Sequence, residues 1–343
     1  MRSIGLPLVL APLIVAIACT SDRAVAPESG HTGQLSGIPP ELFAAYTRVS
    51  LPGTETVVAL NDSGDVVGAT NTGGVLWHGA NHERTILPII PTAIANDGTV
   101  AGSIDGHAAT WKNGRVTVLD TAASMARAIC RCESATVVGS VQVNGDSHAA
   151  IWVDGIRIDA GVPPNAKHAE FSSIATGFVV GNAIVRGPDP HSQDSADFVE
   201  PFSWSPAGGW VPFRLDHVTV AVIVSLNSHG IAVGAGSGPN FSNTLGVLFD
   251  AAAGTGEGEF PGVQLFIRNV PTGINDSLLI AVSALLNQVG TTGGPIALVS
   301  RGSTSNGRVL PPGVIGDQTA GINNAGVIGG QSNGLPVLWI PNP

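Results

Sequence analysis

Charge is what this 343-residue chain has least of: Asp, Glu, Lys and Arg together make up 12% of it, about half the share usual in soluble domains. That scarcity excludes coiled coils and charged tails. Only 15 residues are Lys or Arg against 25 Asp or Glu, a net charge of −10, so no basic surface exists to neutralise phosphates and nucleic acid is excluded as a partner. Beyond residues 1–18 no apolar run reaches membrane-spanning length; the nearest, 218–226 and 278–286, are strand-sized. A Walker loop, paired zinc ligands and an HExxH sequence are also absent. What the chain does hold is 43% apolar residues, 45 Gly and 24 Pro. That is a composition of many turns between short elements, with little room for long helices.

Residues 1–18 carry one early charge, Arg2, and then an apolar stretch interrupted by Pro7 and Pro12. The stretch is too short to span a bilayer and reads as a signal peptide. Residues 19–44 begin polar and rich in Ser, Gly and Pro, without hydrophobic periodicity, as expected of a flexible tether. The body of the protein is then 45–343.

Within that body one pattern recurs: a turn, a short apolar strand closing on a small residue, then a strand bearing an aromatic. The clearest copies start at Ala59, Ala93 and Gly321, and four weaker ones lie between the last two. The small residue falls at Gly68, Gly102, Gly139, Gly181, Gly234, Val282 and Gly330, in steps of 34 to 53 residues. Such steps suit one four-stranded propeller blade each. In the second copy the four β-rich runs are parted by NDG, IDG and KNG, hairpin turns in which Asn or Gly takes positive φ. The aromatic position is filled by Trp77, Trp111, Trp152, Trp204, Phe249 and Trp339, with Leu298 in the sixth copy. These side chains are expected to pack between blades, and the small residues to let neighbouring blades approach. The last copy ends without a fourth strand, while residues 46–51 resemble one. The expected fold is therefore an all-β, seven-bladed β-propeller with four-stranded antiparallel blades, closed by an N-terminal strand.

Two resemblances add to this. The sequence AIAC at residues 16–19 resembles the lipobox of bacterial lipoproteins, which implies lipidation of Cys19. Ala16 stands where that family prefers Leu, and an ordinary secretory cleavage is the alternative. The I-N-N/D-x-G-x-V-x-G pattern followed by H-A-x-x-W, with His107-Ala108 and His148-Ala149 at the naming position, is similar to the HAF repeat of bacterial extracellular proteins. That likeness implies secretion and a propeller-like fold, and it brings no catalytic residue with it.

Individual motifs mostly reduce to turns. Asn61-Asp62-Ser63-Gly64-Asp65 has the look of a calcium loop, but it recurs as Asn96-Asp97-Gly98 and Asn275-Asp276-Ser277 before strands and reads as a hairpin. Gly330 to Gly334 matches G-x-S-x-G, but it lies in a hairpin and not between a strand and a helix. Cys130 and Cys132 replace the usual turn residues and read either as a small disulfide or as free thiols. The strongest pointer is loop length: insertions in copies four to six at 182–201, 235–244 and 284–295 are expected to cluster on one face. The first brings Asp189, His191, Asp194, Asp197 and Glu200, a candidate site for a divalent cation or a basic partner, set against a merely solvated acidic loop. No other cofactor is expected. The function that follows is a monomeric, lipid-anchored propeller of the cell envelope or surface, binding or scaffolding a protein or glycan. A propeller lyase or glycan hydrolase is the alternative, needing converging acid and base groups, and a purely structural envelope repeat is the third.

Overall fold

The computed structural model describes residues 45–343 except 80, 131–135, 189–194, 214–219, 238–243, 260–265, 287–295, 301–307 and 310–316. These residues form an all-β propeller whose blades are four-stranded antiparallel sheets. Seven such sheets follow along the chain: sheet 1 (56–87), sheet 2 (90–118), sheet 3 (124–161), sheet 4 (166–212), sheet 5 (220–259), sheet 6 (266–309) and sheet 7 (318–341). The fourth strand of sheet 7 is Tyr46–Ser50, paired with Leu335–Pro341 from Tyr46↔Pro341 to Ser50↔Val337. Tyr46 donates its phenol proton to the Gly326 carbonyl at 3.0 Å, and Arg48 reaches the buried Ser332 hydroxyl. Successive first strands pack side by side, and that of sheet 7 meets that of sheet 1. Among the described residues no helix is long and apolar enough to cross a membrane.

Turn chemistry sets the hairpins. Asp105-Gly106 and Asn113-Gly114 take φ values of 50°, 81°, 49° and 83°, the double left-handed geometry whose twist suits two-residue β-hairpins. The aromatics lie between sheets as the repeat pattern implies. Trp111 shares a buried cluster with Val67 and Leu76 of sheet 1, Trp152 with Ala101 and Ala108 of sheet 2, Phe249 with Val180 of sheet 4 and with Phe213 just after it, and Trp77 with Leu338 of sheet 7. Each such cluster belongs to two neighbours at once, because a single four-stranded sheet has two apolar faces and nothing of its own to cover them.

The recurring small residue has a different role from the one expected of it. Every first strand carries a register shift at the same place, as between Pro91 and Ala93, Ala126 and Ala128, or Thr319 and Gly321. Such a bulge bends the strand towards its partner. A Cβ on Gly102, Gly139 or Gly330 would stand 2.1, 1.9 or 2.0 Å from the carbonyl oxygen of Ile90, Met125 or Gln318 in the same sheet. The glycines therefore accommodate the bulge within a blade and not the approach of the next blade.

Candidate functional site

Antiparallel sheets have two kinds of end: the turns between first and second strands lie at one, and the turns between second and third strands lie at the other. An amide relay marks the first end. Buried Asn227, Asn275, Asn323 and Asn61 each donate Nδ2–H to the carbonyl of the equivalent residue in the next sheet, Asn275, Asn323, Asn61 and Ala95, at 2.9–3.2 Å. Each Oδ1 meanwhile accepts from its own turn, as from Val327 N–H at 2.9 Å and Asp65 N–H at 2.8 Å. Outside this relay, Asp62 accepts from the Asn324 backbone N–H and from both flanking side-chain amides, Asn96 and Asn324. The Asp276 carboxyl is pressed upwards by burial, but hydrogen bonds from Ser228 and Asn324, with His229 nearby, outweigh this and hold it below the usual range. The Asn-Asp motif is thus a turn, and also the bond between blades. Its carboxylates already have protein donors. Ser332 sits 3% exposed in a hairpin with Asn333 and Gly334 at positive φ, which removes it as a nucleophile.

The relay holds the sheet 5 and sheet 6 turns at one end, and Phe178 against Gly230 holds the sheet 4 turn beside them. The second-to-third hairpins of three adjacent sheets therefore project from the opposite end. The first insertion is largely not a loop: Phe178–Pro188 and Ser195–Ser205 pair without a break from Val179↔Trp204 to Pro188↔Ser195. The alternation that makes this possible is in the residues, since Phe198, Glu200 and Phe202 share one face and Asp197, Val199 and Pro201 the other. Likewise Ile231–Ser237, Thr244–Asp250 and Leu279–Leu286 carry strand into the other two insertions.

The extended hairpin of sheet 4 builds a cavity of about 320 Å³ against the linker from sheet 3. Its floor is Val185, Arg186, Phe198, Glu200, Phe202, Trp210 and Pro212, and Pro163, Pro164 and Asn165 wall it. The volume is that of a small-ligand site. Beneath it Trp210 stacks on buried Phe171 at 5.8 Å and 20°, while Phe202 meets Trp210 edge-on at 4.5 Å. The rings hold one another in place. Nearer the axis, Arg127 of sheet 3 reaches Glu170 of sheet 4 through Nε and Nη2 at 3.0 and 2.9 Å, fastening the seam where the amide relay is interrupted by Cys130 and Ala175.

Of the sequence candidates, Glu200 lines this cavity and Asp197 does not. Asp197 faces the other way, hydrogen-bonded by Lys167 Nζ at 2.8 Å with Arg186 Nη1 at 3.6 Å, and the hydrogen bond from Lys167 chiefly holds its carboxyl low. Asp189, His191 and Asp194 lie outside the described residues, as do Cys19 and Cys132. Cys130 is buried and disulfide-bonded. His107 Nδ1 meets the Ala122 carbonyl and His148 meets Asp159, both local contacts. Among the described residues no group of three or more His, Cys, Asp or Glu side chains is placed to hold a metal ion. Sequence reasoning missed Trp210 and the Pro163-Pro164 wall. The available signal was density: five aromatics fall within 198–213 of a chain that is 5% aromatic.

Fold and cavity together define a β-propeller with a cleft on one blade, against the linker that leads into it. No family model matches the chain, and no curated protein does. Solved structures do. The extracellular domain of a one-component system from B. thetaiotaomicron aligns with a TM-score of 0.55 at 8% identity over 86% of this chain and 39% of that one. This chain thus spans well under half the length of that relative. A streptogramin B lyase aligns at 0.54 with 11% identity, over 88% of this chain and 98% of that one. A chain of the mitotic checkpoint complex aligns at 0.52 with 10% identity, over 93% and 97%. Identities this low carry the fold alone.

Proposed function

We propose that this chain is a cell-envelope binding module for a protein or glycan, its contact site the cavity of sheet 4 beside the linker from sheet 3. The observation that carries this is the hairpin of sheet 4, extended past the other blades to raise Phe198, Glu200 and Trp210 beside a proline wall. Function on propellers resides in such grafted elements on a rigid frame. Around it we place a closed ring of seven blades completed by the N-terminal strand, an arrangement supported by the seven four-stranded sheets and by Tyr46–Ser50 on Leu335–Pro341. The HAF-like repeat belongs to the same proposal, and the extracellular-domain neighbour suits a place at the cell surface. Lipidation at Cys19 would tether the ring, and Cys132 is the proposed partner of Cys130.

The test is a photo-crosslinker at position 198 of the full-length protein in its native envelope. A partner or glycan captured at 198, and not from a crosslinker at Asp97 on the opposite end, supports the site; equal capture from both positions overturns it. Palmitate label should be lost in Cys19→Ser, and a Cys19→Ser protein still retained in the membrane would refute the anchor.

A further inference from the structure

Resting on that cavity as the contact site, we infer that its occupant is the side chain of an arginine or lysine on a basic partner protein. The floor sets one carboxylate, Glu200, between two rings on the same strand, with Trp210 alongside. A cation held over aromatic faces and next to a carboxylate gains from both, and the long aliphatic stem of Arg or Lys suits the apolar remainder, Val185, Pro212 and the proline wall.

Hydrogen-bond supply points the same way. Prolines have no N–H, an ionised carboxylate only accepts, and the Arg186 N–H is already given to the Asn165 carbonyl. Apart from the Asn165 amide and the Trp210 indole N–H, the cavity offers acceptors, with Glu200 the strongest of them, which favours an occupant rich in donors. Anionic groups and proline-rich peptides, whose backbone brings carbonyls, are mismatched. Arg186 also borders the cavity, but alternation along the strand sets its side chain on the opposite face, beside Asp197 at 3.6 Å. Glu200 already takes part in another interaction, and a carboxylate keeps further acceptor sites. The net charge of −10 favours approach of a basic partner over long range.

The experiment titrates full-length protein with a labelled peptide of three arginines spaced by Gly-Ser, with its citrulline counterpart, which keeps the shape without the charge, and with cellohexaose and chitohexaose. The arginine peptide should bind saturably and the citrulline peptide at least tenfold more weakly. Glu200→Gln and Phe198→Ala should each weaken the arginine peptide at least fivefold, while Asp97→Asn leaves it unchanged. Glu200→Gln alone decides if Phe198→Ala melts early. Equal binding of citrulline, or arginine binding indifferent to both cavity variants, overturns the inference as mere attraction to an acidic surface. If a hexasaccharide binds instead and Phe198→Ala abolishes it, the cationic occupant is wrong and the cavity stands. If no probe responds to the cavity variants, both fall.

Discussion

Removing the Asn323 amide tests whether the relay holds neighbouring blades together. The side chain is 1% exposed and makes two bonds, Nδ2–H to the Asn61 carbonyl at 3.0 Å and Oδ1 from Val327 N–H at 2.9 Å. Asn323→Ala deletes both, at about 1 kcal/mol each, and strands the Val327 N–H at about 1 kcal/mol more, for a loss of about 2–3 kcal/mol. That is a large share of a typical stability of about 5–15 kcal/mol. Asn323→Asp separates the two bonds: it keeps the acceptor for Val327 but turns a carboxylate oxygen on the Asn61 carbonyl. It should be worse than alanine at pH 7, where the buried carboxylate is charged and repelled. Burial and the facing carbonyl raise its folded pKa above about 3.9, so the penalty should shrink as pH falls through that raised value and the acid becomes a donor. The assay is urea denaturation followed by tryptophan fluorescence at pH 7 and pH 4. The reasoning is refuted if Asn323→Ala lies within about 0.5 kcal/mol of wild type, or if Asn323→Asp is no worse than alanine at neutral pH.

Four further outcomes are expected. Gly139→Ala puts a Cβ 1.9 Å from a backbone oxygen and should cost more than about 3 kcal/mol, whereas Gly321→Ala, with its nearest atom at 3.6 Å, should cost under about 1 kcal/mol; equal melting temperatures for the two would discard the bulge account. Arg127→Met leaves Glu170 without its cation at a site only 14% and 21% exposed and should cost about 2 kcal/mol, with Arg127→Met/Glu170→Met recovering more than half; strict additivity in a double-mutant cycle would contradict a coupled pair. The Asp276 carboxyl, held below its unfolded value of about 3.9, stabilises the fold above that pH and loses this contribution as pH falls through the folded value. Asp276→Asn should therefore flatten the acid limb of the stability profile, and an unchanged limb would show that other groups set it. Burial raises the Tyr46 phenol, whose contribution is present below about pH 10 and fades as pH rises through the folded value. Tyr46→Phe should remove that alkaline loss, read from melting curves between pH 8 and 11.

Much of the fold was legible because its causes are local. Asp105-Gly106 and Asn113-Gly114 announce hairpins by their tolerance of positive φ, and the aromatic in six of the seven third strands announces a face that must be covered. The candidate site was half legible. Glu200 was singled out for its charge, but it shares a cavity with Phe198 and Trp210, while Asp197, three residues earlier on the same strand, turns to Lys167. A length count shows an insertion without showing that its residues pair, so 182–201 was expected as loop and is mostly strand.

The sequence by itself determined the repeating unit, the positions of its turns and the residues that cannot be left in water. Only the tertiary structure decided what those residues touch. The turn asparagines needed a neighbouring carbonyl to become a relay, and the glycines needed the bulge opposite them to acquire their function. The cavity needed the linker from sheet 3 beside the hairpin of sheet 4. The physical reason is range: propensity and φ act within a few residues, while burial and hydrogen-bond satisfaction depend on atoms brought close from 34 to 262 positions away.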